Sequence, residues 1–372
     1  VKYYIIAGEA SGDLHASNLM KSIIAKDPAA EFRFWGGDLM AEVAGTSPVK
    51  HYKDLAFMGF LEVAKNLGTI LKNIKFCKED LKNYQPDVLI LVDYPGFNLR
   101  IAEFAKNLGL RVVYYISPQL WAWKEGRVEK IRKFVDEILV ILPFEKDFYK
   151  KHQVEAHFVG HPLLDAVSNL PEIDVEKFKA ENQLNEKEII ALLPGSREQE
   201  VTKMLALMLS VRENFADYQF VIAGAPSLPK SFYQKYVDEN VHFVSNKTYD
   251  LLRCSKAALV ASGTATLETA LLNIPQVVCY RSSTISYEIG KRVVKNIKYI
   301  SLVNLIMDEE IVTELIQSEL NTKNLVKELG KIVNGAEREK MLDNYQKLQQ
   351  KLGGKGASDH AAQVIVNGVI SR

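Results

Sequence analysis

Ile189-Ile190-Ala191-Leu192-Leu193-Pro194-Gly195-Ser196-Arg197 carries an unbroken apolar run straight into a glycine turn, and its reading decides the fold. Such a run is a strand buried on both faces, and a glycine turn after it hands the chain to a helix. The pattern recurs where Ala257-Ala258-Leu259-Val260 leads through Ala261 into Ser262-Gly263-Thr264-Ala265-Thr266-Leu267-Glu268. A strand-to-helix turn of this kind offers backbone N–H groups and short hydroxyls at a helix N-terminus, a place for phosphate. Two of them in one Rossmann-like half predict a nucleotide diphosphate held at the mouth of a parallel sheet.

The first half uses the same grammar. Tyr3–Ala7 is an apolar strand entering Gly8-Glu9-Ala10-Ser11-Gly12-Asp13-Leu14-His15, and Glu31–Trp35 is a second. Val88-Leu89-Ile90-Leu91-Val92 is the plainest buried parallel strand, and it ends in Asp93-Tyr94-Pro95-Gly96-Phe97-Asn98. Arg111–Ile116 and Glu137–Leu142 follow, and the polar stretch Asn169 to Glu188 marks a boundary. The expected division is therefore an N-terminal Rossmann-like domain over residues 1–168, a second over 169–345, and a helical segment over 346–372 that crosses back to the first domain or exchanges with a partner. Two consecutive doubly wound halves predict a ligand cleft between them.

Composition agrees with two α/β domains: 372 residues, 47% hydrophobic and 25% charged, exceed one ordinary core and are too mixed for disorder. A net charge of +1 supplies no global field toward nucleic acid. The three cysteines, Cys77, Cys254 and Cys279, are far apart in apolar surroundings and read as reduced core thiols. Val1 to Ala7 reads as a strand rather than a leader, and no window approaches the roughly 18 apolar residues of a bilayer span.

Each candidate residue has a functional reading and a plainer one. Arg197 beside helix amides is a donor fork for phosphate oxygens, or a surface arginine. Ser262, Thr264 and Thr266 are diphosphate ligands, or ordinary caps, with Glu268 placed to accept from sugar hydroxyls. Gly8 and Gly12 are spaced Gly-x-x-x-Gly, which does not fit a dinucleotide fingerprint. Glu9, Asp13 and His15 there are acceptor contacts, although Asp13 also suits a helix cap. Asp93, ending a buried strand, is the best general base, and partial burial would raise its pKa. Asn98 orients it or binds a polar group. Gln119, Trp121 and Trp123 form a sugar or acyl platform, or simply pack; His161 reads as structural. Phe60–Leu81 combines Phe60, Leu67, Leu71, Ile74 and Cys77 with Lys65, Lys72, Lys75 and Lys78, an amphipathic helix that either covers the core or lies at a lipid interface. No His/Cys/Asp spacing indicates a zinc site.

Taken in order, Gly8–Asp13, Met58-Gly59, Asp93–Asn98, Ser117-Pro118-Gln119 with Trp121-Ala122-Trp123, Gly160-His161-Pro162, Leu193–Arg197 and Ala261–Glu268 resemble the successive motifs of the bacterial lipid-A-disaccharide synthase family over essentially the whole chain. The resemblance implies a two-domain GT-B glycosyltransferase that moves 2,3-diacylglucosamine from its UDP-linked form to 2,3-diacylglucosamine 1-phosphate (lipid X), with inversion and without metal or cofactor. It implies that Asp93 is the base; Glu9 is a further catalytic candidate, and Ser11, Asp13, His15, Asn98 and Gln119 are expected to meet the acceptor. Gly195, Ser196, Arg197, Ser262, Gly263, Thr264, Thr266, Glu268 and Asn304 would hold the UDP donor. The family often has Asp where Gly96 stands and proline where Val303 stands. It further implies a peripheral enzyme on the cytoplasmic face of the inner membrane of a Gram-negative cell, touching lipid through Phe60, Leu67, Leu71, Lys72 and Lys75, and a homodimer through C-terminal exchange. A UDP-sugar epimerase, another glycolipid transferase, and a nonenzymatic nucleotide-sugar or lipid-binding module are the rival readings.

Overall fold

The computed structural model describes residues 1–55, 67–123, 125–225, 227–282 and 298–370. The chain divides into two units, one made of Val1–Asp165 with Leu352–Arg372 and the other of Ala166–Lys351.

In the first unit, β1 (Lys2–Ala7), β2 (Glu31–Gly36), β3 (Lys50–His51), β4 (Val88–Val92), β5 (Arg111–Tyr115), β6 (Glu137–Val140) and β7 (Ala156–Phe158) form one sheet in the order β3-β2-β1-β4-β5-β6-β7. Every pairing in it is parallel. Residues Val88 through Val92 are wholly buried, as the unbroken apolar run requires. Leu89 and Leu91 join one core with Tyr4, Ile6, Trp35 and Tyr114, whereas Val88, Ile90 and Val92 join the other with Tyr3, Ile5, Phe34 and Tyr115. The period of two divides the strand between two faces.

The second unit holds β8 (Glu188–Leu193), β9 (Tyr218–Gly224), β10 (Val241–Ser245), β11 (Ser255–Ala261), β12 (Gln276–Tyr280) and β13 (Thr313–Ile316), in the order β10-β9-β8-β11-β12-β13, again parallel. Strand order reverses between β1 and β4 in one sheet and between β8 and β11 in the other. Open α/β sheets bind ligands at the carboxyl ends of the strands beside such a reversal. Gly8-Glu9 and Asp93-Tyr94 lie at the first reversal; Pro194–Arg197 and Ser262–Thr264 lie at the second.

Short β3, β7 and β13 escape a sequence reading because two to four residues are too few to develop an alternating or continuous apolar signal. The return to the first unit begins at Leu352 rather than at residue 346. Helix Ala336–Lys351 stays with the second unit because Tyr345 and Leu348 are fully buried there, with the Tyr345 hydroxyl accepting from Gln276 at 3.3 Å. After it, helix Ala357–Ile370 sets Ala361, Ala362, Ile365 and Val366 into the same core as Ala16, Leu19, Met20 and Ile23 of helix Ala10–Lys26. Its start is fastened by Asp165, whose carboxylate accepts from Gly356 N–H at 2.6 Å and Ser358 N–H at 2.9 Å.

Burial of side chains such as Ile365 and Val366 is worth about 1.5–3 kcal/mol each, more than the ~1 kcal/mol of a cap. Asp165→Ala is therefore expected to lower stability by about 1–2 kcal/mol and to speed amide exchange at Gly356 and Ser358 while Ala361–Val366 stays protected. Loss of protection through Val366 would contradict this division.

Candidate functional site

At the β1/β4 reversal the chain leaves β4 through two consecutive left-handed residues, Asp93 at φ 45° and Tyr94 at φ 49°. For residues other than glycine this costs of order 1–3 kcal/mol each, so the surroundings must hold the turn. The Asp93 N–H donates to the Tyr115 carbonyl at 3.1 Å. The Asp93 carbonyl accepts from the Tyr114 hydroxyl at 2.6 Å and from Asn98 Nδ2 at 2.7 Å. Pro95 then opens helix Pro95–Asn107, its fixed φ suited to that position. The Tyr94 ring lies against Gly8, where an added Cβ would meet ring carbons at 2.4 Å, and stacks on Phe97 at 5.7 Å. Glycine at position 8 is what lets the two turns touch.

Burial pushes the Asp93 carboxyl up to about 6; the charge of Glu9 adds to the rise, and a bond from the Tyr94 backbone N–H opposes it. Glu9 is the half-buried residue that opens helix Ala10–Lys26. The two carboxylates thus share one strand edge, with Ser11 and Gln119 exposed.

Three expected acceptor contacts are buried, and two of them, Asp13 and Asn98, are hydrogen-bonded within the scaffold. Asp13 is 3% exposed and accepts from the amides of Gly37 at 2.7 Å, Leu39 at 3.2 Å and Met40 at 3.2 Å, capping helix Asp38–Ala44. Asn98 is fully buried, with Nδ2 on the Val92 and Asp93 carbonyls. His15 is buried and its imidazole is held down at about 4 by desolvation, with Asp165 opposing; neighbouring His161 is held down at about 3. Trp121 packs edge-on against Phe144 at 4.9 Å. A buried carboxyl absent from the expectations is Glu145, whose Oε2 accepts from Ile141 and Leu142 N–H at 3.2 and 3.0 Å. Burial pushes it up to about 8. Proline and glutamate in the first turn of helix Pro143–Lys151 were its sequence signal.

At the β8/β11 reversal, Gly195 has φ 105°, and a Cβ there would lie 2.5 Å from Glu200 Oε2. Any residue with a side chain is strained at that left-handed φ, whereas the Glu200 carboxylate could move aside. Arg197 precedes helix Glu198–Leu209 and is exposed, with no ion pair among the described residues; Ser196 is exposed beside it. Gly263 precedes helix Thr264–Leu271, with nothing within 4 Å of its missing Cβ. The first N–H groups of a helix have no partner within it and suit an anion. Glycine and Thr264 there are exposed.

The neighbouring hydroxyls are committed elsewhere. Thr266 is fully buried and donates to the Gly263 carbonyl at 2.8 Å, and Ser262 donates to the Ile300 carbonyl at 3.0 Å. They shape the turn rather than offer their protons to a ligand. Asn304 is likewise a scaffold residue: it is fully buried, Oδ1 accepts from Ile311 and Val312 N–H at 2.8 and 3.0 Å, and Nδ2 donates to the Val312 carbonyl at 2.8 Å and Glu314 at 2.9 Å. Glu314 also accepts from Ile300 N–H, Ser301 N–H and Ser301 Oγ at 2.9, 2.9 and 2.7 Å, so the two hold the segment against which Ser262 rests. Glu268 is half-buried; burial raises its pKa and a bond from the Tyr249 hydroxyl opposes the rise.

Helix Leu67–Tyr84 turns Ile74, Cys77 and Leu81 inward and exposes Leu71, Phe76, Lys72 and Lys75. Phe60 and the Leu67 side chain lie outside the described residues. Among the described residues no helix is long and apolar enough to cross a membrane, and no group of three His, Cys, Asp or Glu could hold a metal ion.

A family model described as lipid-A-disaccharide synthetase matches residues 3–366. A lipid-A-disaccharide synthase of Geobacter metallireducens is 37% identical over 371 residues, 97% of this chain and 96% of that protein. One of Syntrophus aciditrophicus is 39% identical over 368 residues, 96% of this chain and 95% of that protein. Among solved structures, the UDP-GlcNAc 2-epimerase of Methanocaldococcus jannaschii, in complex with UDP-GlcNAc and UDP, has a TM-score of 0.69 at 12% identity and covers 99% of this chain and 100% of its own. That likeness concerns the fold, two Rossmann-like domains of GT-B type.

The scaffold role of Asp13 has a direct check. Leaving its buried amide partners unmet costs about 1–3 kcal/mol, so Asp13→Ala is expected to lower the urea midpoint by a corresponding amount. An unchanged midpoint would return Asp13 to the ligand side.

Proposed function

This chain belongs to the lipid-A-disaccharide synthetase family, and from that premise we propose that its two strand-order reversals are the acceptor and donor stations of one sugar transfer. The chain is a glycosyltransferase of lipid A biosynthesis. Its reaction moves 2,3-diacylglucosamine from UDP-2,3-diacylglucosamine to the 6-hydroxyl of lipid X, yielding the disaccharide 1-phosphate and UDP.

The ionised Asp93 carboxylate takes the proton of the acceptor hydroxyl as that oxygen attacks C1 of the donor. The bond from C1 to the diphosphate oxygen breaks on the opposite face, which inverts the anomeric centre. Negative charge then develops on the departing diphosphate. The N–H groups at the starts of helices Glu198–Leu209 and Thr264–Leu271, with the exposed Arg197 fork, are the groups suited to receive it. Ser196 and Thr264 lie at the same edge, and Glu268 accepts from the ribose. Ser11 and Gln119, exposed on the other unit, meet the acceptor sugar.

The observation that carries the reading is the environment of Asp93. A carboxyl pushed up to about 6 is about ten to one ionised at pH 7, yet is a stronger base than an ordinary aspartate. Glu9 strengthens it by charge.

Acylated substrates bring the enzyme to a lipid surface. Leu71 and Phe76 with Lys72 and Lys75, exposed on helix Leu67–Tyr84, form its lipid-facing side; Phe60 and Leu67 are proposed as further lipid contacts on sequence alone, and the surface as the cytoplasmic face of the inner membrane. Exchange of helix Ala357–Ile370 between two copies would reuse its contacts with helix Ala10–Lys26 and give a homodimer.

Incubation with UDP-2,3-diacylglucosamine and lipid X, followed by mass analysis, is expected to give the disaccharide 1-phosphate; UDP release without lipid X, or an epimerised donor, would overturn the reading. Asp93→Asn is expected to lose about 10²–10⁴-fold in kcat with UDP affinity unchanged, and wild-type kcat/KM should rise with pH through about 6. Folding disfavours the charge on a carboxyl whose pKa it raises, a penalty that sets in above the unfolded value and is complete above about 6. Asp93→Asn should therefore be no less stable than wild type at pH 8, which separates lost chemistry from lost fold. Replacing Leu71, Lys72, Lys75 and Phe76 with serine should weaken binding to anionic vesicles and flatten its salt dependence, at about 1 kcal/mol per lysine; unchanged vesicle binding would refute this placement.

A further inference from the structure

Tyr114 is fully buried in β5, in register with Leu91 of β4, and nothing in its apolar strand distinguishes it as a functional residue. Its hydroxyl nevertheless ends on the carbonyl of the one residue whose direction the chemistry needs, at 2.6 Å from Asp93 O. Asn98 Nδ2 brings a second donor to the same oxygen at 2.7 Å. A carbonyl oxygen has two lone pairs, so the pair saturates it. Tyr115 next door takes the Asp93 N–H at 3.1 Å, and the peptide groups on both sides of a left-handed Asp93 are thereby clamped to β5 and helix Pro95–Asn107.

We infer that Tyr114 is a positioning residue for the transfer: its hydroxyl, together with the Asn98 amide, holds the left-handed Asp93 turn and so fixes where the Asp93 carboxylate stands at the strand edge. The inference rests on the reading of Asp93 as the base. A tyrosine that merely satisfies its own buried hydroxyl would leave catalysis indifferent to its loss. A clamp would not, because a relaxed turn lets the carboxylate swing toward water and away from the acceptor hydroxyl.

Tyr114→Phe keeps the ring and removes only the donor. It is expected to fold, to lose about 10- to 100-fold in kcat with KM for both substrates within about twofold, and to move the acid limb of kcat/KM below its wild-type position as Asp93 becomes hydrated. Asn98→Ala should do the same, and the double variant should lose much less than the product of the two single losses, since both act on one oxygen. If Tyr114→Phe does not fold, Asn98→Ala carries the comparison of kcat, KM and acid limb alone. Wild-type kcat and acid limb in Tyr114→Phe beside an inactive Asp93→Asn would overturn this inference while leaving the base intact. An active Asp93→Asn would overturn the base reading and the inference with it.

Discussion

Two left-handed residues at the end of β4 set the terms for the first unit. Asp93 and Tyr94 bend the chain so that the Asp93 carboxyl stays at the strand edge while its backbone is gripped from β5 and from Asn98. The strand beneath the bend is wholly buried, and close packing resists its displacement. Another consequence of the bend is the placement of the Tyr94 ring on Gly8, which brings Glu9 near enough to raise the Asp93 pKa further. Strain, close packing and basicity are one arrangement viewed at three scales.

The second unit solves a different electrostatic problem with the same topology. At its reversal the chain presents glycine turns, helix N-termini and Arg197, which has no ion pair among the described residues, with Glu198 and Glu200 in the first turn of the same helix; Glu314 grips residues 300–304, and Glu268 bonds Tyr249. One sheet edge therefore carries two carboxylates suited to removing a proton, and the other offers helix amides and an arginine suited to receiving a diphosphate.

What could be read beforehand follows from how local each signal is. β4, β8 and β11 were legible because burial on both faces leaves a continuous apolar run, and Asp93, Gly195 and Ser262 were legible as the first polar or glycine residues after such runs. Asp13, Asn304 and Thr266 have the right residue type for ligands, but each is buried and hydrogen-bonded within the fold. Asp13 meets amides that the chain reaches only after β2, and Asn304 meets the amides and carbonyl of 311 and 312 together with Glu314. A polar residue near a glycine turn is ambiguous until its neighbours from other elements are known. Tyr114 gave no signal, since a tyrosine in an apolar strand reads as core and its hydroxyl partner depends on register with β4.

The protonation of Asp93 is the most direct measure of the account, because burial, the Glu9 charge and the clamped turn all act on it. Carbon-13 NMR titration of the aspartate carboxyls, with Asp93 assigned by difference from Asp93→Asn, should find it titrating near 6 in wild type and lower in Glu9→Gln. A midpoint in the ordinary aspartate range near 4, unmoved by Glu9→Gln, would contradict the account.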